Sequence, residues 1–155
     1  NFSMANMSGL NIVSLDLANG FLKSNIIRTT NLEPGVLLRG TWMRTMIRNS
    51  NIKNANFNNA NLRNVDLSYS NLDGALMINT KLFAAEIDDA SLKFSNLKGA
   101  NLKKANLSGS NLESAILEST NLKGANLDKT NFKNVDIDKT IFENKDIKKA
   151  IIKNK

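Results

Sequence analysis

The sequence repeats with a period of five residues along its whole length. Every fifth residue from Phe2 to Ile152 is large and apolar, and no insertion or deletion interrupts the series. The residue two places earlier is mostly small, as at Ala55, Ala60 and Ala100. A period of five does not match the 3.6-residue turn of an α-helix, which would spread these apolar residues around its circumference. The chain is therefore not predicted to be helical.

An extended chain with regular corners accounts for this period. In an extended chain, residues two apart share a face, so the small and the large residue of each repeat point the same way. Because five is an odd number, the inward-facing and outward-facing positions would exchange at each repeat unless the fifth residue forms a corner. Turn-tolerant residues such as Gly74, Gly99, Asn59 and Asn64 occupy the fifth place. The single proline, Pro34, shares it, and we expect its fixed φ to suit a corner.

Several repeats share one motif, seen intact as ANLRN (60–64), ANLKK (100–104), ANLSG (105–109) and ANLDK (125–129). This motif resembles that of the pentapeptide-repeat family, and the resemblance covers essentially all 155 residues in one phase. It implies an all-β fold: a right-handed quadrilateral parallel β-helix with four repeats to a coil. We therefore expect a single domain over residues 1–155 with about eight coils. Residues 143–155 are predicted to cap its last coil.

Composition excludes most catalytic and metal-binding chemistry. The chain has no cysteine and no histidine, which removes disulfides, zinc sites, thiolate nucleophiles and the usual neutral-pH base. The carboxylate pairs Asp88–Asp89 and Asp136–Asp138 are predicted to project from a convex rod, where nothing excludes water. Together with Glu86, the first pair could hold a cation, but we interpret this cluster as a solvated patch. No catalytic residue, cofactor or metal is predicted.

Apolar residues at outward positions indicate a contact surface. If residues twenty apart share a side of the coil, five of them lie on one side, and exposed apolar patches usually mark contacts. The next side adds three more, although single exposed apolar residues are normal on any surface. The predicted partner-binding residues are Val36, Leu38, Leu76, Ile78, Ile116, Phe21, Met43 and Phe83.

Positive charge also gathers on one side. The net charge is +7 with a pI near 9.7, and seven cations fall on the side that contains Leu62 and Leu102. This predicted basic stripe comprises Lys23, Arg44, Arg63, Lys81, Lys103, Lys104 and Lys123. It could meet phosphates or an acidic protein, or be a solvated face. Exposed aromatic residues that could stack on bases are few, namely Phe21, Phe83, Tyr69 and Phe94, which disfavours specific binding of single-stranded nucleic acid.

These features predict a non-catalytic protein-interaction or scaffold module. Its partner is expected to be another protein, an adjoining domain or a second copy of the chain. The resemblance implies that some modules of this kind are parts of larger bacterial proteins, including secreted effectors, and the start at Asn1 favours an excerpt of such a protein. No apolar run is long enough to cross a bilayer, so a soluble protein, cytoplasmic or secreted, is expected.

The resemblance also implies one alternative function. Members of the quinolone-resistance type inhibit or protect a DNA topoisomerase, gyrase, by imitating DNA. Mimicry of this kind requires a strongly negative surface that replaces phosphates. The positive net charge of this chain disfavours it.

Overall fold

The computed structural model describes residues 45–143, 147 and 150, together with the backbone of four two-residue strands nearer the N terminus. These are β1 (Asn11–Ile12), β2 (Gly20–Phe21), β3 (Asn31–Leu32) and β4 (Gly40–Thr41). β1 pairs with β3 and β2 with β4, both in parallel and both twenty residues apart. No helix in the described residues is long and apolar enough to cross a membrane.

The same register continues as single parallel bridges from Met46 to Ile141, each joining residues twenty apart. Two hydrogen bonds flank a typical bridge. The N–H of Met77 donates to the carbonyl of Asn96 at 2.7 Å, and the N–H of Asn96 donates to the carbonyl of Ala75 at 2.9 Å. Because every twenty residues return the chain to the same line, the described part is a stack of parallel coils, as in a β-helix.

A corner follows every core residue. The fifth residue of each repeat from Asn49 to Asn134 has a φ between +52° and +70°. The next N–H then donates to the carbonyl of the core residue, as Ala60 does to Phe57 at 2.9 Å. A positive φ at the third residue of such a turn is the signature of type II. The ring of proline holds φ near −65° and does not fit a corner of this kind. Pro34 itself lies outside the described residues, so the expectation for its own corner stays a prediction.

The core has the composition that the period predicts. All large residues of the series from Ile47 to Phe132 are buried, and so are the small residues that precede them from Thr45 to Val135. Ile137 and Phe142 are half-buried at the C-terminal end, and Ile147 and Ala150 pack against the core there. The cap over residues 143–155 otherwise lies outside the described residues and stays a prediction.

Hydroxyl groups in the core are bonded to the backbone of the coil. Thr80 Oγ1 donates to the carbonyl of Phe57 at 2.8 Å, and Thr120 Oγ1 donates to that of Leu97 at 2.7 Å. Ser110 Oγ instead donates to the carbonyl of Leu107 within its own turn. Serine and threonine therefore replace alanine at the small position without leaving a polar group unsatisfied.

Candidate functional site

Three exposed apolar side chains gather at one corner of the coil. Leu76, Asn96 and Ile116 pair in register on successive coils, and Phe94 precedes Asn96 by two residues. Leu76 is 39% exposed, Phe94 66% and Ile116 49%. Successive coils are separated by about 4.8 Å, and diagonal neighbours on a sheet lie within reach of an aromatic side chain. We call Leu76, Phe94 and Ile116 the apolar corner.

The backbone of Phe94 is unfavourable for a bulky residue. Its φ is +58°, in the left-handed region, which costs roughly 1–2 kcal/mol for an L-residue with a side chain. The same corner position on the neighbouring coils holds Gly74 and Ser114, so the ring stands out among small residues. An exposed aromatic residue in a strained conformation gains little from packing within its own chain, and such positions are often functional.

The predicted apolar surface falls partly within the described residues. Leu76 and Ile116 lie on one line with Asn96 between them, as expected for apolar residues on alternate coils. Ile78 is half-buried, as is Phe83. The other predicted members lie outside the described residues or are described only in their backbone: Val36, Leu38, Met43 and Phe21.

Sequence reasoning did not assign Phe94 to this surface. It grouped outward residues by the sides of the coil, and Phe94 belongs to a corner between two sides. Its position two residues before Asn96 is the signal that could have found it, because Asn96 pairs with Leu76 on one coil and with Ile116 on the next.

A cleft of about 300 Å³ opens beside Ile116, between residues 114–118 on one coil and Asn134, Asp136 and Lys139 on the next. The regular repeat predicts two backbone hydrogen bonds between these two coils. Among the described residues, however, the Leu117 N–H has no acceptor and the Ala115 carbonyl has no donor. Beside the cleft, the N–H of Ser119 donates to the carbonyl of Lys139, one residue later than the repeat predicts.

This shift in register interrupts the regular pairing between Asn134 and Lys139, as at a β-bulge. Regular pairing resumes where the N–H of Leu122 donates to the carbonyl of Ile141 at 2.6 Å. The interruption therefore leaves one short strand edge, from Ala115 to Leu117, open to a ligand.

Charged groups surround this cleft. Lys98 Nζ lies 2.9 Å from Glu118 Oε2. The hydrogen bond and the charge of Lys98 lower the pKa of Glu118, Lys139 adds to the effect, and burial and Asp136 oppose it. Glu118 is consequently an ionised carboxylate at the edge of the cleft at neutral pH.

The predicted basic stripe lies on one side of the coil, which we call the basic face: residues 60–64, 80–84, 100–104 and 120–124. All five of its cations are exposed: Arg63, Lys81, Lys103, Lys104 and Lys123. These four segments contain no aspartate or glutamate, and the same side continues at residues 140–143 with the exposed Glu143, twenty residues after Lys123. The other two predicted members, Lys23 and Arg44, lie outside the described residues.

Phe83 lies at the centre of the basic face. The guanidinium carbon of Arg63 is 5.2 Å from the centre of its ring, and Lys104 Nζ is 5.8 Å from it. These distances are typical of cation–π contacts. Phe83 therefore holds two of the cations on the face and is not a free aromatic anchor.

The acidic residues that the sequence singled out are bonded within the coil. Glu86 Oε2 accepts a hydrogen bond from Asn106 Nδ2 at 2.9 Å, and Asp88 Oδ1 accepts one from Ser68 Oγ at 2.7 Å. Asp136 Oδ1 accepts the N–H of Asp138 at 3.1 Å. In the part of the chain that the structure describes, no cluster of three acidic residues could hold a metal ion.

Comparison with known proteins identifies the repeat. The family model described as pentapeptide repeats matches eight copies, over residues 47–79, 85–124 and 105–144. No curated protein matches the chain.

Several solved structures are similar to this chain. One is alr5209, a pentapeptide repeat protein from Nostoc PCC 7120, with 35% identity, coverage of 63% of this chain and 84% of that one, and a TM-score of 0.51. HetL is a pentapeptide repeat protein involved in heterocyst differentiation regulation in Nostoc sp. strain PCC 7120. It is 21% identical, with coverage of 98% of this chain and 91% of that one, and a TM-score of 0.42. A trypsin-treated variant of QnrB1, a plasmid-mediated fluoroquinolone resistance protein, is 14% identical, with coverage of 97% of this chain and 91% of that one, and a TM-score of 0.41.

Proposed function

The chain belongs to the pentapeptide-repeat family, and on that premise we propose that it is a non-catalytic protein-binding module whose contact surface is the apolar corner. Pentapeptide-repeat proteins are right-handed β-helices and in general act as structural or interaction modules. The observation that carries the proposal is the grouping of Leu76, Phe94 and Ile116, three exposed apolar side chains, around a single corner.

We further infer a coil with four sides, repeated nearly eight times over the 155 residues. Bridges twenty residues apart and a corner at every fifth residue support four sides. On such a coil each side presents a separate flat strip, so neighbouring strips can carry different chemistry. The apolar corner and the basic face then serve as two distinct surfaces.

Phe94 is the expected anchor of the protein contact. Aromatic residues dominate the binding energy of protein interfaces, especially where apolar neighbours exclude water around them. Leu76 and Ile116 lie on the coils before and after that of Phe94, in line with Asn96 two residues further along the chain. We expect a partner to bury its apolar side chains against the three residues of the apolar corner.

The neighbouring cleft favours an extended partner segment. The Leu117 N–H and the Ala115 carbonyl form a short open strand edge, and an extended peptide can add to such an edge through its own backbone. Because Ile116 belongs both to the cleft and to the apolar corner, one segment could engage the two together.

The alternative, inhibition of gyrase by imitation of DNA, has the charge distribution against it. The chain carries a net charge of +7, and the basic face has five exposed cations and no carboxylate in its four segments. A DNA mimic needs the opposite sign along its surface. We therefore do not adopt this function.

The test compares the wild type with the triple variant Leu76→Ser, Phe94→Ser, Ile116→Ser. Extended peptides are selected from a random library on the wild type, and solution mass is measured by light scattering. We expect peptides, or a second copy of the chain, to bind the wild type and not the triple variant. The variant should keep the circular dichroism of the wild type, because the three side chains are exposed.

Tyr69→Ser is the matched control, since Tyr69 is 50% exposed and also occupies a corner. This variant should bind as the wild type does. A wild type that remains monomeric and enriches no peptide, or peptides that bind the triple variant equally well, would overturn the proposal.

A further inference from the structure

The basic face differs from the other described sides in its balance of charge. Those sides hold seven cations and ten carboxylates. Three of the seven cations pair with a carboxylate on a neighbouring coil: Arg48 with Asp66 at 3.4 Å, Lys98 with Glu118 at 2.9 Å and Lys133 with Glu113 at 3.2 Å. No cation of the basic face forms an ion pair within the described residues. Against these five cations, the described part of this side holds one carboxylate, that of Glu143.

The composition of the basic face does not favour a protein partner. Lysine is depleted in the cores of protein interfaces, which rely on aromatic or apolar anchors. Four of the five cations are lysines. The one large apolar residue at an outward position in these four segments is Phe83, and its ring is already in contact with Arg63 and Lys104.

The same contacts disfavour single-stranded nucleic acid. Proteins that bind single strands stack bases on aromatic side chains beside a positive groove. The ring of Phe83 is already engaged by cations of its own chain, and no other aromatic residue occurs in the four segments. The chemistry that remains is a phosphate-bearing surface recognised by charge alone.

The arrangement of the cations on the basic face distinguishes a flat bilayer surface from a cylindrical DNA duplex. Arg63, Phe83, Lys103 and Lys123 follow one another at twenty-residue intervals, and the bridges place such residues on one line with about 4.8 Å between coils. Lys81 and Lys104 lie to either side of this line. Cations spread across the width of a flat strip can all approach a flat surface together, whereas a DNA duplex laid along the line curves away from those at its sides. We propose that the basic face binds the surface of a bilayer that contains anionic phospholipids.

This surface is separate from the apolar corner. The corner lies around Leu76, Phe94 and Ile116, none of which belongs to the basic face. A chain that lies with its basic face on a bilayer can therefore bind a protein partner at the corner. The inference does not depend on the proposed protein-binding function, and either can fail without the other.

The test measures co-sedimentation of the full chain with vesicles that contain about one third phosphatidylserine, and with vesicles of phosphatidylcholine alone. The variant Lys81→Gln, Lys103→Gln, Lys123→Gln removes three cations of the basic face. Each basic residue at an anionic surface contributes about fivefold in binding, so binding of the variant should fall by about a hundredfold. Wild-type binding should be lost on neutral vesicles and weaken with salt.

The matched control is Lys53→Gln, Lys93→Gln, Lys129→Gln, which changes the net charge equally on other sides of the coil. Its binding should fall only a few-fold. Equal loss in the two variants would show that net charge alone is responsible and would overturn the proposal. Failure to bind anionic vesicles would overturn it as well, and binding to a DNA duplex in their place would assign the face to nucleic acid. Glycerophosphoserine in solution should not compete, since competition would indicate a headgroup site in place of a surface.

Discussion

The asparagine or aspartate that precedes many of the core residues stabilises the turn that follows. Asn101 Oδ1 accepts the N–H of Lys103 at 3.1 Å, and most of the described repeats contain the equivalent bond. Where Leu76 replaces asparagine, Asn58 on the adjacent coil accepts the N–H of Ile78 instead, at 2.8 Å. This exchange explains how the coil tolerates an exposed leucine at the apolar corner without an unsatisfied amide at that turn.

Glycine at a corner has two separable effects, and Gly109 and Gly124 distinguish them. Both have a φ near +70°. A Cβ added at Gly124 would lie 3.8 Å from Lys104 Cγ, an ordinary contact, whereas at Gly109 it would clash with Asp89 Oδ1. We expect Gly124→Ala to lower the free energy of unfolding by about 1 kcal/mol through backbone strain alone, and Gly109→Ala to lower it by about 1 kcal/mol more. Denaturant unfolding of each variant measures this difference.

The variant Asp89→Ala serves as the control for this clash. In that background, Gly109→Ala should cost only as much as Gly124→Ala does, because the obstructing oxygen is gone. A double-mutant cycle that shows no coupling between Gly109 and Asp89 would contradict this explanation.

At the scale of the strand and turn, the sequence predicts the regular repeats far better than the departures from them. The period determines which residues face inward, and the buried series from Ile47 to Phe132 agrees with it throughout. Residues 135–139, VDIDK, also fit the repeat, yet there the chain leaves its neighbour and opens the cleft. The pattern of side chains determines which residues face inward. Whether two neighbouring coils stay paired depends on hydrogen bonds between their backbones, and the pattern carries no information about these. The cleft was therefore not predictable from the repeat.

The open strand edge should be visible in amide exchange. Leu97 and Leu117 occupy equivalent positions on adjacent coils and are both buried. The N–H of Leu97 donates to the carbonyl of Ile116 at 2.8 Å, whereas that of Leu117 has no acceptor among the described residues. We expect the Leu117 amide to exchange at least about tenfold faster than that of Leu97. Equal protection of the two amides would mean that the cleft is closed in solution.

The ion pair across two coils should make stability depend on pH. Lys98 lowers the pKa of Glu118 in the folded chain, so the pair stabilises the fold above the ordinary carboxyl pKa, about 4.3. That contribution is lost as the pH falls through the lowered folded value. The difference in free energy of unfolding between the wild type and Glu118→Gln should be small, because both side chains are partly exposed. It should shrink between about pH 6 and pH 3.

Lys98→Met should lower the free energy of unfolding by as little as Glu118→Gln does near neutral pH, because it removes the other half of the pair. In the Lys98→Met background, Glu118→Gln should have almost no further effect near neutral pH. A difference between wild type and Glu118→Gln that stays constant with pH would show that the pair contributes no linkage.

At the scale of the whole molecule, the repeat separates surface chemistry from stability. Core positions recur every five residues, while the bridges show that a surface strip recurs only every twenty. A solenoid of this kind is stabilised mainly by contacts between neighbouring coils. The arrangement of its surface can therefore change without change in its core, and the basic face and the apolar corner occupy different strips for this reason.

Insertion of one repeat or of four tests this separation. We consider Ala-Asn-Leu-Ser-Gly, a copy of residues 105–109 that carries no charge, placed after Asp89 either once or four times in succession. Both insertions keep the five-residue core period, so both variants should unfold cooperatively. A single copy turns all later residues by one side of a four-sided coil, which separates Arg63 and Lys81 from Lys103, Lys104 and Lys123. Four copies add one full coil and keep the five cations on one strip.

Binding to anionic vesicles should follow this geometry, since the two variants carry the same charged residues. The single insertion leaves at most three of these five cations on one strip, and the cations that it brings there, Lys98 and Lys139, come with Glu118, Asp136 and Asp138. The loss of two cations should weaken binding about 25-fold. The fourfold insertion should bind within about fivefold of the wild type, because all five cations can still reach one plane. Equal binding by two folded variants would show that charge acts without regard to the side of the coil on which it lies.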